Sequence, residues 1–318
     1  MPAPPSPAPP ERGVSPVLRI ALLGPLAVAA GYVFLTLTLA GSDTDALFAW
    51  RMSPVTASLL GAAYGGSCAM LALCLRAGHW VRVRMAAYAS ALFMLLMLGA
   101  VLLDRGETHL RGGALVAFLA AWIWLAVHLA APAVGLLAFG AQARRRGPVP
   151  PRPPRLPWWV GAPMLVDAAA LLATGLFLYA APAPAARHWP WPVGQLDVRA
   201  FGAWCLAFGA ALLFSWWESE LRRVRGGMAA LVVTGLFGLI GLVRYADQVR
   251  WSSPGAWLVV LVLCSLLGLG ISGAGLSALL DPPPPPLAVA GTLVAGPPAG
   301  GPGAAGPGAG PGSGIRPV

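Results

Sequence analysis

The stretch His188-Trp-Pro-Trp-Pro192 stands in a short loop and leads into an apolar run that passes through Gly202. An earlier stretch, Phe48-Ala-Trp50, leads in the same way into an apolar run that passes through Gly61. The same interval separates Trp50 from Trp191 and the first Gly from the second (191 − 50 = 202 − 61 = 141). Tryptophan rings favour the membrane–water interface. We therefore interpret the two stretches as corresponding corners in two duplicated halves of a membrane protein.

The composition excludes a water-soluble core. Of the 318 residues, 58% are hydrophobic and 10% are charged, and the mean hydropathy is +0.73. A soluble domain carries about 25% charged residues, so the deficit predicts a polytopic membrane protein. The net charge of +10 does not indicate nucleic acid binding, because the basic residues cluster in short loops between apolar runs. All of them are Arg, and Gly and Pro are frequent, which indicates a high-GC and hence bacterial genome.

Eight apolar runs are each close to the roughly 20 residues needed to cross the hydrocarbon core of a bilayer. They lie at about 17–40, 55–75, 85–103, 114–139, 158–181, 199–217, 227–243 and 256–279. The first run also resembles a signal peptide, but it is longer than the usual apolar region of about 7–15 residues. We favour a retained helix, with cleavage as the alternative. Because each half holds an even number of spans, the sequence predicts an all-α fold of two parallel four-helix repeats.

The segments outside these runs complete the predicted organisation. The tails at 1–16 and 281–318 are rich in Pro, Ala and Gly and lack the residues of a core, so we expect both to be disordered. The repeats are predicted at 17–140 and 158–280, joined by an Arg- and Pro-rich linker at 141–157. Arg residues follow the second, fourth and sixth runs, whereas the alternate loops hold most of the acidic residues. The positive-inside rule therefore predicts a plasma-membrane protein with both termini cytoplasmic.

Two polar residues inside predicted spans are candidates for a functional role. A carboxylate in hydrocarbon is costly unless it is paired or protonated, so Asp167 in the fifth run is expected to face the bundle interior. Its two interpretations are a proton- or cation-handling group and a structural hydrogen-bonding or ion-pairing residue. His128 lies one turn after Trp124 in the fourth run and is either a ligand or proton relay or a packing residue. A bis-His haem site would need a second His inside a span, and the other His residues lie in loops.

The two corner tryptophans are also candidates. Trp50 and Trp191 either line an aromatic pocket at the outer interface, facing each other across the pseudo-two-fold axis, or serve only as architectural corners. Pro190 and Pro192 favour the second interpretation, because they keep the loop extended and end any helix. The acidic and His residues of the same loops either form a polar external site or are ordinary solvated charges. No metal-ligand spacing is present, and the four Cys form no CxxC pair, so neither a metal site nor a disulfide framework is predicted.

Four segments at the starts of predicted spans share an aromatic and small-residue character: Asp43-Thr-Asp-Ala-Leu-Phe-Ala-Trp50, Thr56-Ala-Ser-Leu-Leu-Gly-Ala-Ala-Tyr64, Trp189-Pro-Trp-Pro192 and Phe201-Gly-Ala-Trp204. Together they resemble a family of uncharacterised multi-pass membrane proteins from high-GC Gram-positive bacteria, over about residues 17–280. The resemblance implies the membrane fold and no known activity. The family often continues its Trp-Pro-Trp-Pro with Leu-Thr-Pro-Leu-Thr-Ala-Arg, whereas this chain continues with Val193-Gly-Gln-Leu-Asp-Val-Arg199.

We therefore expect a non-enzymatic integral membrane protein such as a scaffold, sensor or envelope component. No catalytic residues, cofactor or metal are predicted, and the lipid bilayer is the one assigned partner. A homo-oligomer or another membrane protein remains open as a further partner, and the sequence specifies no small-molecule ligand. The first alternative is a small-molecule or ion transporter that uses Asp167 as its intramembrane carboxyl. The second is a membrane-embedded enzyme without a recognisable motif.

Overall fold

The computed structural model of the protein describes residues 12–148 and 156–280. This part is helical and has no strand, with two isolated β-bridges outside the helices. It contains eight helices long and apolar enough to span a membrane: α1 (Leu18–Leu39), α2 (Pro54–Arg76), α3 (Arg84–Leu103), α4 (Leu115–Ala143), α5 (Trp158–Ala180), α6 (Gln195–Glu218), α7 (Leu221–Arg244) and α8 (Pro254–Leu280). The predicted all-α fold with eight helices long and apolar enough to span a membrane is confirmed.

Two helices begin earlier than their apolar runs predict. α6 begins at Gln195 rather than near residue 199, because the Asp197 side chain caps its first turn. The backbone N–H of Gly194 donates to Asp197 Oδ2 over 3.0 Å, and this contact satisfies a donor that the helix itself leaves free. α7 begins at Leu221, six residues before the predicted run. In both cases the helix begins with polar residues that precede the apolar run, so a prediction from hydropathy alone places its start too late.

The second and sixth helices occupy the centre of the bundle. α1 packs against α2, and α5 packs against α6. α2 also lies along α7, and α6 lies along α3. Each central helix therefore contacts at least one helix from the first four and at least one from the last four. In the most apolar stretch of each helix, about 67% of α2 is buried inside the protein, against 22–28% of α1, α4 and α8. The outer helices therefore present most of their apolar side chains to lipid.

Two glycines allow the close packing of the central helices. A Cβ on Gly61 would lie 3.0 Å from Thr38 Oγ1 on α1 and 3.4 Å from its backbone nitrogen. A Cβ on Gly202 would lie 2.8 Å from the backbone nitrogen of Tyr179 on α5. Small residues at such positions let two helix backbones approach each other. The pairs α1–α2 and α5–α6 therefore both depend on the glycine that the sequence singled out.

Residues 12–16, the last part of the tail expected to be disordered, pack against the end of α4. The side chain of Gln142, which is buried, accepts a hydrogen bond from Ser15 N over 2.7 Å and donates to Gly13 O over 3.1 Å. These bonds order the chain just before α1. Of the expected tails and linker, residues 1–11, 149–155 and 281–318 lie outside the described residues.

Candidate functional site

The two corner tryptophans are buried and make matching hydrogen bonds. Trp50 Nε1 donates to Asp197 Oδ1 near the start of α6 over 2.9 Å, and Trp191 Nε1 donates to Thr56 Oγ1 near the start of α2, also over 2.9 Å. Thr56 and Asp197 are separated by the interval that separates the two Trp residues (197 − 56 = 141). Each Trp therefore ties its own corner to the beginning of the other central helix.

The rings of Trp50 and Trp191 belong to different clusters. Trp50 packs edge-on against Phe48 and Trp124, with ring centroids 4.9 and 5.6 Å apart. Trp191 packs instead against Trp189 at 5.6 Å, in a cluster formed by the start of α2, the end of α7 and the first half of α8. Both rings are buried and both indole nitrogens are satisfied. This geometry favours architectural corners over an aromatic pocket shared by the two rings.

The acidic loop residues near these corners are engaged in helix capping and ion pairing. Glu107 accepts hydrogen bonds from the backbone N–H groups of Gln195 and Leu196, at 3.1 Å each. A carboxylate at this position interacts favourably with the positive end of the α6 dipole. The carboxylate of Asp104 forms an ion pair with Arg199, and both side chains are largely buried. Glu107 and Asp104 thus hold the start of α6 in place. The sequence alone did not reveal this role.

Asp167 lies between α5 and α8. Both of its carboxylate oxygens accept from the Ser265 hydroxyl, at 2.8 and 2.9 Å. The residue is partly buried, and it does not belong to the lining of the cavity described next. The sequence left two interpretations of Asp167 open, and the hydrogen bond with Ser265 matches the structural one.

A cavity of about 380 Å³ lies among α1, α2, α3, α4, α6 and α7. This volume is within the range of roughly 300–1,000 Å³ that small-molecule sites occupy. It is elongated, since the lining residues of α4 extend from Val116 to His128, about 18 Å along a helix axis. In the described part of the chain no Asp, Glu, Arg or Cys contributes to its lining, which is dominated by Ala, Leu, Val, Met and aromatic side chains.

The cavity is open between α1 and α4. α4 packs against the first turn of α1 (Leu18–Leu23) and against the short helix Thr44–Leu47 beyond its end, but scarcely against the stretch between them. Three of the lining residues on this flank remain highly exposed: Tyr32 at 67%, Ile123 at 64% and Leu119 at 49%. These residues lie within helices long and apolar enough to span a membrane, so the opening is on an apolar outer flank of the bundle.

Four of the polar residues that line the cavity form an aromatic wall: Tyr64, Trp124, His128 and Trp204; the others are Tyr32, Ser67, Ser90 and Ser215. The His128 ring stacks on Trp124, with centroids 3.5 Å apart, and its Nδ1 lies 2.9 Å from the Trp124 carbonyl oxygen. The Tyr64 ring meets that of Trp204 edge-on at 5.0 Å. Tyr64 and Trp124 are close enough to interact, although their polar atoms do not reach standard hydrogen-bond geometry. His128 Nε2 and Trp204 Nε1 are buried without a hydrogen-bond partner.

Sequence reasoning identified His128 but not the cavity around it. Among residues 12–148 and 156–280, no three His, Cys, Asp or Glu side chains come together as a metal site would require. Comparison of the chain with protein-family models, curated proteins and solved structures gives no match. The site must therefore be interpreted from its own chemistry.

Proposed function

We propose that the protein is a non-enzymatic integral membrane protein that takes up a lipid-type molecule from the bilayer into the cavity between α1 and α4. One observation carries the proposal: an almost wholly apolar cavity opens on the membrane-facing flank of the bundle. A hydrocarbon chain that enters through this opening moves from one apolar environment to another and exposes no apolar surface to water. Such a site suits a sensor, scaffold or envelope component that responds to its lipid surroundings.

We infer that the protein resides in a bacterial plasma membrane with both termini on the cytoplasmic side. Arg residues cluster after α2, α4 and α6, and positively charged loops stay in the cytoplasm. The high Arg, Gly and Pro content and the resemblance to membrane proteins of high-GC Gram-positive bacteria support the same assignment. The N-terminus precedes α1, and an even number of spans returns the chain to the side on which it started.

We also infer that the eight helices form two parallel repeats. The end of α1 at Leu39 and the end of α5 at Ala180 differ by 141 residues, as do the ends of α3 and α7 (180 − 39 = 244 − 103 = 141). The starts of α2 and α6 have the same offset (195 − 54 = 141). The matched hydrogen bonds of Trp50 and Trp191 supply a further, independent support, because their acceptors obey the interval although their residue types differ.

The transporter alternative fits the geometry less well. A coupling carboxyl has to lie on the route of its substrate, whereas Asp167 is away from the cavity and bonded to Ser265. The cavity is lined by helices of both halves, as a transport path would be. However, its lining is too apolar to conduct an ion or a polar solute, which would lose its hydration without replacement contacts.

Lipid entry can be tested by photocrosslinking in nanodiscs. Two hexadecyl probes, an alcohol and a carboxylic acid that each carry a mid-chain diazirine, are activated and the adducts mapped by mass spectrometry. We expect adducts at Met94 and Met228, which are buried and line the cavity. Ala120→Trp, which fills the cavity from α4, should reduce these adducts at least fivefold. Ala133→Trp, on an exposed face of α4 outside the lining, should not. Labelling confined to the bundle surface with both probes would refute the proposal.

A further inference from the structure

We propose that the ligand of this cavity is an uncharged single-chain amphiphile whose headgroup hydroxyl donates a hydrogen bond to His128 Nε2. The inference rests on the proposed lipid uptake and specifies the chemical class of the molecule. It depends on three features of the aromatic wall: the tautomer of His128, the indole donors of Trp124 and Trp204, and the absence of charge. Each of these restricts the headgroup independently.

The tautomer of His128 follows from its hydrogen bond. A carbonyl oxygen can only accept, so the contact between Nδ1 and the Trp124 carbonyl requires the proton on Nδ1. The imidazole is only 4% exposed and no carboxylate lines the cavity around it, so a charged ring would lie uncompensated in an apolar environment. In the neutral ring Nε2 then carries a lone pair and no proton. It is an acceptor that requires a donor, and a headgroup hydroxyl supplies one.

The other polar groups of the wall favour oxygen acceptors on the same headgroup. Trp204 Nε1 and Trp124 Nε1 are indole donors that cannot accept, and neither makes a standard hydrogen bond in the described part of the protein. The Tyr64 hydroxyl lies in the same cluster. A hydroxyl or a glycerol-type headgroup combines a donor with acceptor oxygens and can match both kinds of group. An amine headgroup would present donors to donors, and a hydrocarbon would leave all of them unpaired.

The position of the wall argues against an ionised headgroup. His128 lies near the middle of α4, 13 residues from its first residue and 15 from its last (128 − 115 and 143 − 128). An ionised group close to the centre of the bilayer is costly unless an opposite charge meets it, and no Arg or acidic residue of the described chain lines this cavity. A phosphate, carboxylate or ammonium headgroup is therefore disfavoured. The elongated shape of the cavity suits one chain.

Competition against the photoreactive hexadecanol separates headgroup recognition from simple uptake of a chain. Unlabelled hexadecanol, hexadecyl methyl ether and palmitic acid have nearly the same chain, and the ether accepts hydrogen bonds without donating one. We expect hexadecanol to suppress the Met94 and Met228 adducts at about tenfold lower concentration than the ether, a difference of about 1.4 kcal/mol. His128→Phe keeps an aromatic ring beside Trp124 but lacks the acceptor, and should bring the two compounds to equal potency.

His128→Gln provides a second variant, because its amide oxygen remains an acceptor and should retain part of the preference for hexadecanol. Thermal unfolding of each variant in the same nanodiscs verifies that the fold is intact. Equal potency of the alcohol and the ether on the wild-type protein, or an unchanged preference in His128→Phe, would overturn the hydroxyl assignment while leaving lipid uptake in place. Absence of any interior adduct from either hexadecyl probe would instead overturn the proposed uptake itself.

Discussion

Replacing Trp50 by Phe is expected to destabilise the protein more than replacing Trp191 by Phe, although the two residues occupy matching corners. Trp50→Phe removes the donor from Asp197 Oδ1 and leaves a buried carboxylate oxygen short of a partner. Trp191→Phe removes the donor from the Thr56 hydroxyl, which still makes a hydrogen bond of 2.9 Å with Ser53 Oγ. Both substitutions remove the same atoms of a Trp ring. The difference between their effects on the free energy of unfolding therefore reports the difference between the two lost hydrogen bonds.

The size of this difference follows from the charge of the acceptor. A hydrogen bond to a charged group contributes about 1.5–3 kcal/mol, and a bond between neutral groups about 0.5–1.5 kcal/mol. We therefore expect the free energy of unfolding to fall by roughly 1–1.5 kcal/mol more for Trp50→Phe than for Trp191→Phe. Trp158→Phe, at an exposed ring (78%), serves as the matched control and should change it by less than about 0.5 kcal/mol.

Equilibrium unfolding in mixed micelles of increasing SDS content, followed by far-UV circular dichroism, measures these free energies without relying on tryptophan emission. A double-mutant cycle with Asp197→Asn then measures the coupling between Trp50 and its acceptor, which should exceed about 0.5 kcal/mol for residues in direct contact. Equal losses for the two Trp variants, or additive effects in the cycle, would show that the carboxylate is satisfied in another way and would refute the reasoning.

Two further predictions concern helix packing and the intramembrane carboxyl. Gly202→Ala should lower the free energy of unfolding by about 1–3 kcal/mol, because its Cβ would meet backbone atoms of Tyr179 and Gly175 within 3.1 Å. The control Gly268→Ala has open space within 4 Å and should be neutral or slightly stabilising in the same unfolding assay. Asp167→Asn retains an acceptor for Ser265 and should change stability by less than about 0.5 kcal/mol. A solute flux in liposomes that this variant abolished would instead favour the transporter alternative.

The helices could be predicted from the sequence, but their polar partners could not. Length and apolarity are local properties, and they are enough to locate eight spans. Trp50 and Trp191 were found because the two residues are identical at a fixed interval. Their acceptors, Thr56 and Asp197, obey the same interval but differ in type, so a search for identical residues passes over them. Similarly, Glu107 reads as a solvated loop charge until the start of α6 is placed beside it.

The cavity was beyond sequence reasoning for a different reason. It arises where α1 beyond Leu23 does not pack against α4, and a missing contact leaves no periodic signal in either helix. His128 was identified as polar within a span, but its unpaired Nε2 becomes visible only when the Trp124 carbonyl is found on Nδ1. Asp167 attracted attention for the same reason as His128, and the Ser265 hydroxyl that meets it lies 98 residues away in the chain.

The pairing of α2 with α7 has a consequence for how the nascent chain enters the membrane. α7 ends at Arg244, 168 residues after α2 ends at Arg76 (244 − 76 = 168). At a synthesis rate of about 5–20 residues per second, the ribosome needs roughly 10–30 s to deliver this partner. For the first 115 of these residues Thr56 has no Trp191 to bond (191 − 76 = 115), and until α7 is made the residues of α2 that pack against it face lipid or the insertion machinery. The most enclosed helix of the finished protein is thus among the first to be inserted and among the last to be covered.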